Sequence, residues 1–206
     1  MRADVPATKS TLIRLREQFA FVRTGHELLE EKREVLLEEL LDMYREAAQL
    51  RREVERDLAG LYAAFRDAVL AGGRAPLEAE ALASVGSQTL RVRERSVMGV
   101  VIPLLELRAT AVAEPLTAPG WTAAAVVLVR RRVRDLLERL LRLAETEVSC
   151  RRLAAELQKT QRKVNALEHV FIPEYRDTIH FIEATLEERE REALFHLKRL
   201  KARKAG

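Results

Sequence analysis

The sequence contains few of the residues that build compact or disulfide-linked domains. Only 5% of its 206 residues are aromatic, and Cys150 is its one cysteine. A single cysteine cannot form an intrachain disulfide, which favours a reducing, cytoplasmic compartment. The longest uncharged stretch, residues 115–129, is too short to span a bilayer, and the first ten residues lack the apolar core of a signal peptide. We therefore expect no direct membrane insertion.

The motifs of common enzymes and metal sites are also missing. Gly72-Gly73 is not followed by the Lys-Ser or Lys-Thr pair of a phosphate-binding loop, and no G-x-G-x-x-G occurs. A di-iron bundle needs repeated Glu-x-x-His motifs, whereas Asp177-x-x-His180 stands alone. Cys150 is expected to be a small buried residue. We expect no catalytic residue, no cofactor and no metal ion.

The residues that are abundant belong to long helices. Leu, Ala, Glu, Arg and Lys dominate, and one third of the residues are charged. The 36 basic and 32 acidic residues are interspersed and leave a net charge of +4. This pattern is typical of a solvated helical surface rather than of a nucleic-acid-binding face. The basic end, residues 198–204, fits either a solvated helix terminus or a site for nucleic acid or anionic lipid.

The first part of the chain carries a heptad repeat. Stepping alternately three and four residues from Leu12 to Val54 gives 13 positions, of which 11 are apolar. This is the 3.5-residue repeat of a left-handed coiled coil, and it shifts by one position at Leu58. We predict one helix over residues 8–70, about 90 Å long at about 1.5 Å per residue.

The second part repeats the pattern less regularly and predicts a helix over residues 121–203. Pro173 removes a backbone donor and clashes with the carbonyl of His169, so a kink is expected there. Either helix alone would leave its apolar stripe in water. We therefore predict that the two helices pair antiparallel, with partner residue numbers that add to roughly 200–210.

Between the helices, residues 71–120 hold four of the six prolines and five of the eight glycines. Alternating and β-branched residues near 89–102 predict a short β-hairpin, with an irregular loop containing a helical turn as the alternative. The predicted fold is all-α, a long antiparallel two-helix coiled coil with a small middle head region. Its predicted parts are residues 1–70, 71–120 and 121–206.

Two polar residues, His26 and Arg33, interrupt the first apolar stripe one heptad apart. Polar residues in a seam fix its register, whereas the alternative for Arg33 is that its charged end extends into solvent. An arginine at such a position needs a counter-charge if it is buried. We predict a carboxylate partner from residues 167–177, namely Glu168, Glu174 or Asp177.

Two sequence blocks near the ends resemble a known family. The first comprises residues 6–9 and 25–33, and the second is the run KTQRKVNALEHVFIP at residues 159–173, continued at 178–182 and 186–191. Together these blocks resemble the D subunit of the V-type, A-type and V/A-type rotary ATPases and ATP synthases. The connector resembles that family loosely, through Val97–Pro103.

The resemblance implies a non-catalytic rotor subunit of the central stalk, which transmits torque between the catalytic A/B hexamer and the ion-translocating ring in the membrane. The implied partners are the A and B subunits around the paired termini, the small F subunit of the rotor, and the adapter on the membrane ring. No nucleic acid is implied, and the location is cytoplasmic and peripheral to the membrane. The expected contact residues toward the hexamer are Arg162, Lys163, Asn165 and Glu168.

The apolar stripe orients the second block, because Val164 and Leu167 continue it and should face the first helix. Two other functions compete with the rotor. A generic coiled-coil scaffold or tether would share the heptads without needing the block at 159–173. A basic-tailed nucleic-acid adapter would bind DNA with a steep dependence on salt.

Overall fold

The computed structural model describes residues 6–83, 88–109 and 121–204. The predicted all-α fold with a small two-stranded sheet in its middle is confirmed. The predicted connector is only partly described, because residues 84–87 and 110–120 lie outside the described ranges. In chain order the elements are α1 (Lys9–Gly72), α2 (Ala75–Ala83), β1 (Gln88–Val97), β2 (Val100–Ala109), α3 (Trp121–Ala166), a π-helical turn (Leu167–Phe171) and α4 (Ile172–Lys204).

Local hydrogen bonds define both the start and the end of α1. The Thr8 hydroxyl accepts a hydrogen bond from the backbone N–H of Thr11 at 3.3 Å, which caps the first turn. At the other end, Gly73 has a φ of 77° and donates its N–H to the carbonyl of Val69. Glycine adopts this left-handed conformation readily. Its N–H then bonds to a carbonyl of the last helical turn that would otherwise have no partner. The single uninterrupted helix predicted over 8–70 is thus confirmed within two residues.

The described chain divides into two compact units. The first unit contains the chain up to Val35 and from Leu157 onward. Its interior contains three well-buried aliphatic residues and three buried threonines. Across the helices, Lys9 pairs with Glu190 and Arg16 with Glu183, each at 2.7 Å. The interior residues are Leu15, Val164, Ile182, Thr11, Thr160 and Thr178.

The cross-helix pairs of the first unit indicate its register. Lys9 with Glu190 and Arg16 with Glu183 both give residue numbers that add to 199. The antiparallel pairing is as predicted, whereas the register lies just below the expected range. These side chains are long and flexible, so an ion pair joins residues that need not be directly opposite.

The second unit runs from Leu36 to Glu156. Leu36 and Leu153 are fully buried, and Ala64 packs with Ala68 and Val129. The small alanines let the helices approach closely, and partly buried residues of α2 and α3 cover the cluster. Polar links between α1 and α3 in this unit include Arg51 with Glu147, Arg139 with Asp57, and the Arg132 guanidinium donating to the carbonyl of Gly60.

The helix continues through Pro173, as predicted, by way of the π-helical turn. The backbone N–H of Ile172 donates to the carbonyl of Leu167, five residues earlier. A π-helical turn contains one more residue than an α-helical turn, and the extra residue relieves the clash that a proline ring causes in a regular helix. The predicted disturbance near His169 is therefore a widened turn, and α4 then continues to Lys204.

The β-hairpin predicted near 89–102 is confirmed, and it is longer than expected. β1 and β2 pair antiparallel from Gln88 with Ala109 to Val97 with Val100. The two loop residues, Met98 and Gly99, have φ values of 50° and 82°. Positive φ at both positions matches the tight turn whose twist suits a two-residue hairpin. The alternative of an irregular loop is wrong for these residues.

Candidate partner-binding surface

The sequence block at 159–173 has a buried inner face and an exposed outer face. Thr160 and Val164, one helical turn apart, are 2% and 1% exposed, and Leu167 is half-buried. The burial of Val164 agrees with the prediction that it faces the first helix, whereas Leu167, predicted to face it as well, is only partly covered. The four residues expected to contact a partner are all exposed. They are Arg162, Lys163, Asn165 and Glu168.

One edge of this outer face is connected to α1 by hydrogen bonds. An Arg33 guanidinium nitrogen donates to the Gln161 side-chain oxygen at 3.4 Å. The Gln161 amide nitrogen then donates to the Asn165 oxygen at 2.7 Å. Arg33 also lies 3.6 Å from the carboxylate of Glu30 on its own helix. These contacts orient the Asn165 amide, so this part of the surface is held before any partner binds.

The described partners of Arg33 differ from the acid of residues 167–177 that the sequence predicted. Its described contact across the helices is the neutral amide of Gln161, and its described ion pair is with Glu30. The Arg33 side chain remains 36% exposed. Because it stays partly hydrated, the guanidinium does not need a full counter-charge from the second helix.

His26, the other polar residue of the first stripe, is half-buried. Its Nε2 atom is buried and has no hydrogen-bond partner among the residues that the structure describes. A buried polar atom without a partner costs free energy. His26 is therefore a polar interruption of the seam, as the sequence indicated, but its Nε2 atom contributes no described hydrogen bond that would fix the register.

The π-helical turn adds two exposed titratable groups to the surface. The Glu168 carboxylate lies 3.9 Å from Nε2 of His169, which is an ion pair only when the histidine is protonated. Both side chains are more than half exposed. Glu168 therefore lies beside His169 on the exposed side of the turn. The sequence alone did not predict this contact.

Cys150 differs from its prediction as a buried residue, because it is half-buried. It lines a cleft of about 350 Å³ together with Tyr44, Arg51 and Glu147. Partial burial raises the pKa of the Cys150 thiol, and the negative charge of Glu147 raises it further. A raised pKa disfavours the thiolate, which is the reactive form. The environment of Cys150 is therefore that of a structural thiol.

Two polar residues of α3 hold the hairpin, and no local sequence pattern marks either of them. The Glu145 carboxylate accepts a hydrogen bond from the backbone N–H of Leu105 at 2.7 Å. Arg152 donates to the carbonyl of Val101 at 2.8 Å. Glu145 and Arg152 are seven residues apart, so two helical turns bring both side chains to the same strand.

The described residues contain neither a metal-binding cluster nor a membrane-spanning segment. Within 6–83, 88–109 and 121–204, no three His, Cys, Asp or Glu side chains lie close enough together to hold a metal ion. No helix in these ranges is both long and apolar enough to cross a membrane.

Comparison with known proteins identifies the family of this chain. The family model for the D subunit of ATP synthase matches residues 11–202. The A-type ATP synthase D subunit of Pyrococcus furiosus is 37% identical over 202 residues, covering 96% of this chain and 94% of the relative. The corresponding subunits of Thermococcus gammatolerans and Methanopyrus kandleri are 35% and 34% identical, covering 97% and 96% of this chain and 94% and 86% of the relatives. The chain belongs to the family of ATP synthase D subunits.

Proposed function

We propose that this chain is the central-stalk rotor subunit of a V/A-type ATPase or ATP synthase and transmits torque between the catalytic A/B hexamer and the membrane ring. The observation that carries the proposal is the match to the D subunit, which covers 96% of this chain and 94% of the Pyrococcus furiosus relative. Such a subunit supports ATP turnover and ion transport without performing the chemistry itself. A generic scaffold would not require this near full-length similarity.

Torque transmission requires two helices that do not slide along each other. In the first unit, Lys9 with Glu190 and Arg16 with Glu183 join the helices at their surface, while Ile182 is fully buried. Exposed ion pairs contribute little stability individually, so the buried residues supply most of the resistance. The ion pairs add a penalty for any change of register, because sliding separates the charges.

The chain termini are proposed to contact the hexamer of A and B subunits. The ion pair of Lys9 with Glu190 lies near the start of α1, and α4 continues for 14 residues beyond Glu190 to Lys204. Large apolar side chains in this extension are more than half exposed. Apolar residues on a single helix normally require a partner surface. Those residues are Leu194, Phe195, Leu197 and Leu200.

The outer face of the second block is proposed to support the same contact. Arg162 and Lys163 are exposed beside the buried Val164, so their charge is not used for packing. Asn165 is already oriented through Gln161. Together with Glu168, these residues offer donors and acceptors of both signs, which suits a polar contact that forms and breaks as the stalk turns.

The small F subunit is proposed to bind the exposed apolar stripe of α1. Leu37 and Leu41 are each 45% exposed and Tyr44 is 65% exposed. Their spacing of four and then three residues places them on one face of the helix. This spacing is the one that an amphipathic partner helix recognises. The adapter on the membrane ring is the remaining proposed partner, and it connects the stalk to ion translocation at the membrane.

The proposal is tested by assembling this chain with the A, B and F subunits of the same organism and measuring ATP hydrolysis and ATP-driven rotation. We expect a stable complex whose rotation is impaired by Arg162→Ala/Lys163→Ala, with unchanged helical content of the isolated variant. Arg66→Ala/Arg134→Ala is the matched control, because it removes the same charge from other exposed positions. Failure to assemble would contradict the proposed function. Normal rotation of the first variant would contradict only the assigned contact residues.

A further inference from the structure

The outer edge of strand β1 carries backbone groups that have no hydrogen-bond partner among the residues that the structure describes. Val97 and Val100 flank the two-residue turn and form a hydrogen-bonded pair, so the pairs alternate from there along the hairpin. In every second pair the N–H and C=O groups point away from the partner strand. Beyond the terminal Gln88, the residues of β1 at these positions are Leu90, Val92, Glu94 and Ser96. Among the residues that the structure describes, no third strand joins the sheet at this edge.

The opposite edge, on β2, is partly occupied by contacts within this chain. The N–H of Leu105 donates to Glu145, and the carbonyl of Val101 accepts from Arg152. Between them lies Pro103, which has no N–H to offer. All three residues occupy positions that point away from β1. Because side chains of α3 and Pro103 already occupy part of the β2 edge, the edge of β1 is the more accessible side for another chain.

The side chains along β1 present two different surfaces. Leu90 and Val92 lie on one face of the strand and are 45% and 59% exposed, and the exposed Glu94 and Ser96 continue that face toward the turn. Arg91, Arg93 and Arg95 lie on the other face, because side chains alternate along a strand, and all three are exposed. Arg93 pairs with Glu106 of β2 at 3.3 Å. The edge therefore combines a face that is apolar at Leu90 and Val92 with a second face on which the three arginines lie.

We propose that the open edge of β1 binds an extended strand from another subunit of the ATP synthase, in which acidic and apolar residues alternate. This inference rests on the function proposed above. Addition of a strand to an open sheet edge gains affinity from backbone hydrogen bonds and specificity from alternate side chains. Acidic residues of the incoming strand would lie beside Arg91, Arg93 and Arg95, and its apolar residues beside Leu90 and Val92.

A second copy of this chain does not fit the same edge. Antiparallel pairing of two β1 strands places the arginines of one copy on the same face as the arginines of the other. Like charges opposite each other on neighbouring strands are destabilising. Charged residues alone would protect an edge from unwanted pairing. The exposed Leu90 and Val92 give no such protection, which favours a partner with complementary charge.

The first test uses the full-length chain and a short synthetic peptide in which glutamate and valine alternate. Hydrogen exchange at single-residue resolution should show slower exchange for the amides of Leu90, Val92, Glu94 and Ser96. The amides of the intervening arginines already bond to β2, so their exchange should change little. A peptide with lysine in place of glutamate should bind more weakly. Equal exchange of the four amides with and without the glutamate peptide would overturn the proposal.

Two substitutions make this test specific to the edge. Val92→Pro removes an outward N–H without removing a hydrogen bond of the hairpin, and should weaken peptide binding about tenfold. Val92→Thr is the control, because threonine keeps the N–H and suits a strand. Arg91→Glu/Arg95→Glu should reverse the preference between the two peptides. Unchanged binding of the Val92→Pro variant, or edge protection by duplex DNA instead of peptide, would overturn the proposal.

The second test compares the free chain with the complex assembled from this chain and the other ATP synthase subunits. The same four amides should be protected in the complex, and Val92→Pro should lower the stability of that complex. If the complex forms and the four amides exchange as in the free chain, the β1 inference is wrong while the proposed function stands. If no complex forms, the proposed function is wrong, and the β1 inference, which takes its partner from that complex, is wrong with it.

Discussion

The inner and outer faces of the paired helices follow different rules. On the inner face, burial determines the residue type, as the fully buried Leu36, Leu153 and Ile182 illustrate. On the outer face, residues such as Leu37, Arg162 and Lys163 are exposed and are not needed for packing. Periodicity therefore identifies the residues that fold the chain, and the exposed residues that packing does not explain are the ones we propose for partner binding.

The largest expected effect is a difference in unfolding free energy between variants of two adjacent leucines. Leu36 is fully buried, whereas Leu37 is 45% exposed. Leu36→Ala should lower the free energy of unfolding by about 2–5 kcal/mol, because it removes buried apolar atoms and leaves a cavity. Leu37→Ala should change it by less than about 0.5 kcal/mol. Chemical denaturation followed by circular dichroism measures both, and equal losses in the two variants would contradict this division into faces.

A smaller effect, of opposite sign, is expected at His26. Its Nε2 atom is buried without a described hydrogen-bond partner, so the histidine costs stability at this position. His26→Leu should raise the free energy of unfolding by about 1 kcal/mol, because the unsatisfied polar atom is replaced by an apolar group. His26→Gln, which keeps a polar side chain, serves as the control. A clear loss of stability in the leucine variant would show that His26 makes a stabilising interaction.

The contact between Arg33 and Gln161 should give a weaker but measurable coupling. The two side chains are joined by a hydrogen bond of 3.4 Å at a partly exposed position. A double-mutant cycle with Arg33→Ala and Gln161→Ala should give a coupling of about 0.5 kcal/mol. The same cycle between Arg33 and Glu174 is the comparison for the partner predicted from sequence. A larger coupling to Glu174 would favour the carboxylate interpretation.

The smallest effect concerns the exposed ion pair of Lys9 and Glu190. A hydrogen bond and the opposite charge raise the pKa of Lys9 above its ordinary 10.5 and lower the pKa of Glu190 below its ordinary 4.5. The contribution of Glu190 is therefore present above its unfolded pKa and is lost as the pH falls through its folded pKa. The contribution of Lys9 is lost as the pH rises through its raised pKa. Lys9→Met/Glu190→Gln should flatten the dependence of the melting temperature on pH at both extremes, and an unchanged profile would contradict the pairing.

The sequence predicted the features that depend on local pattern. Heptad spacing located both long helices, and alternation near 89–102 located the hairpin. The two glycines at 72–73 marked the end of α1, and Pro173 marked the site of the π-helical turn. Each of these signals acts through neighbouring residues in the chain, so it can be read without knowing the tertiary structure.

The features that were missed depend on contacts between distant residues. Gln161 meets Arg33 because of a register that the apolar repeat alone does not fix to within a turn. Glu145 and Arg152 hold β2 because α3 passes beside it, and charged residues are too common in this sequence to single them out. The open edge of β1 follows from the pairing pattern of the hairpin together with these two contacts. Surfaces for partners were therefore less predictable than the fold.

The central claim, that this chain turns inside the hexamer, is tested most directly by observing its rotation. A probe can be attached through Met98→Cys at the exposed hairpin turn, with Cys150→Ser removing the native thiol. In a complex whose hexamer is fixed to a surface, the probe should rotate stepwise in one direction when ATP is added and should stop when ATP is removed. A probe that remains stationary while the same complex hydrolyses ATP would contradict the claim.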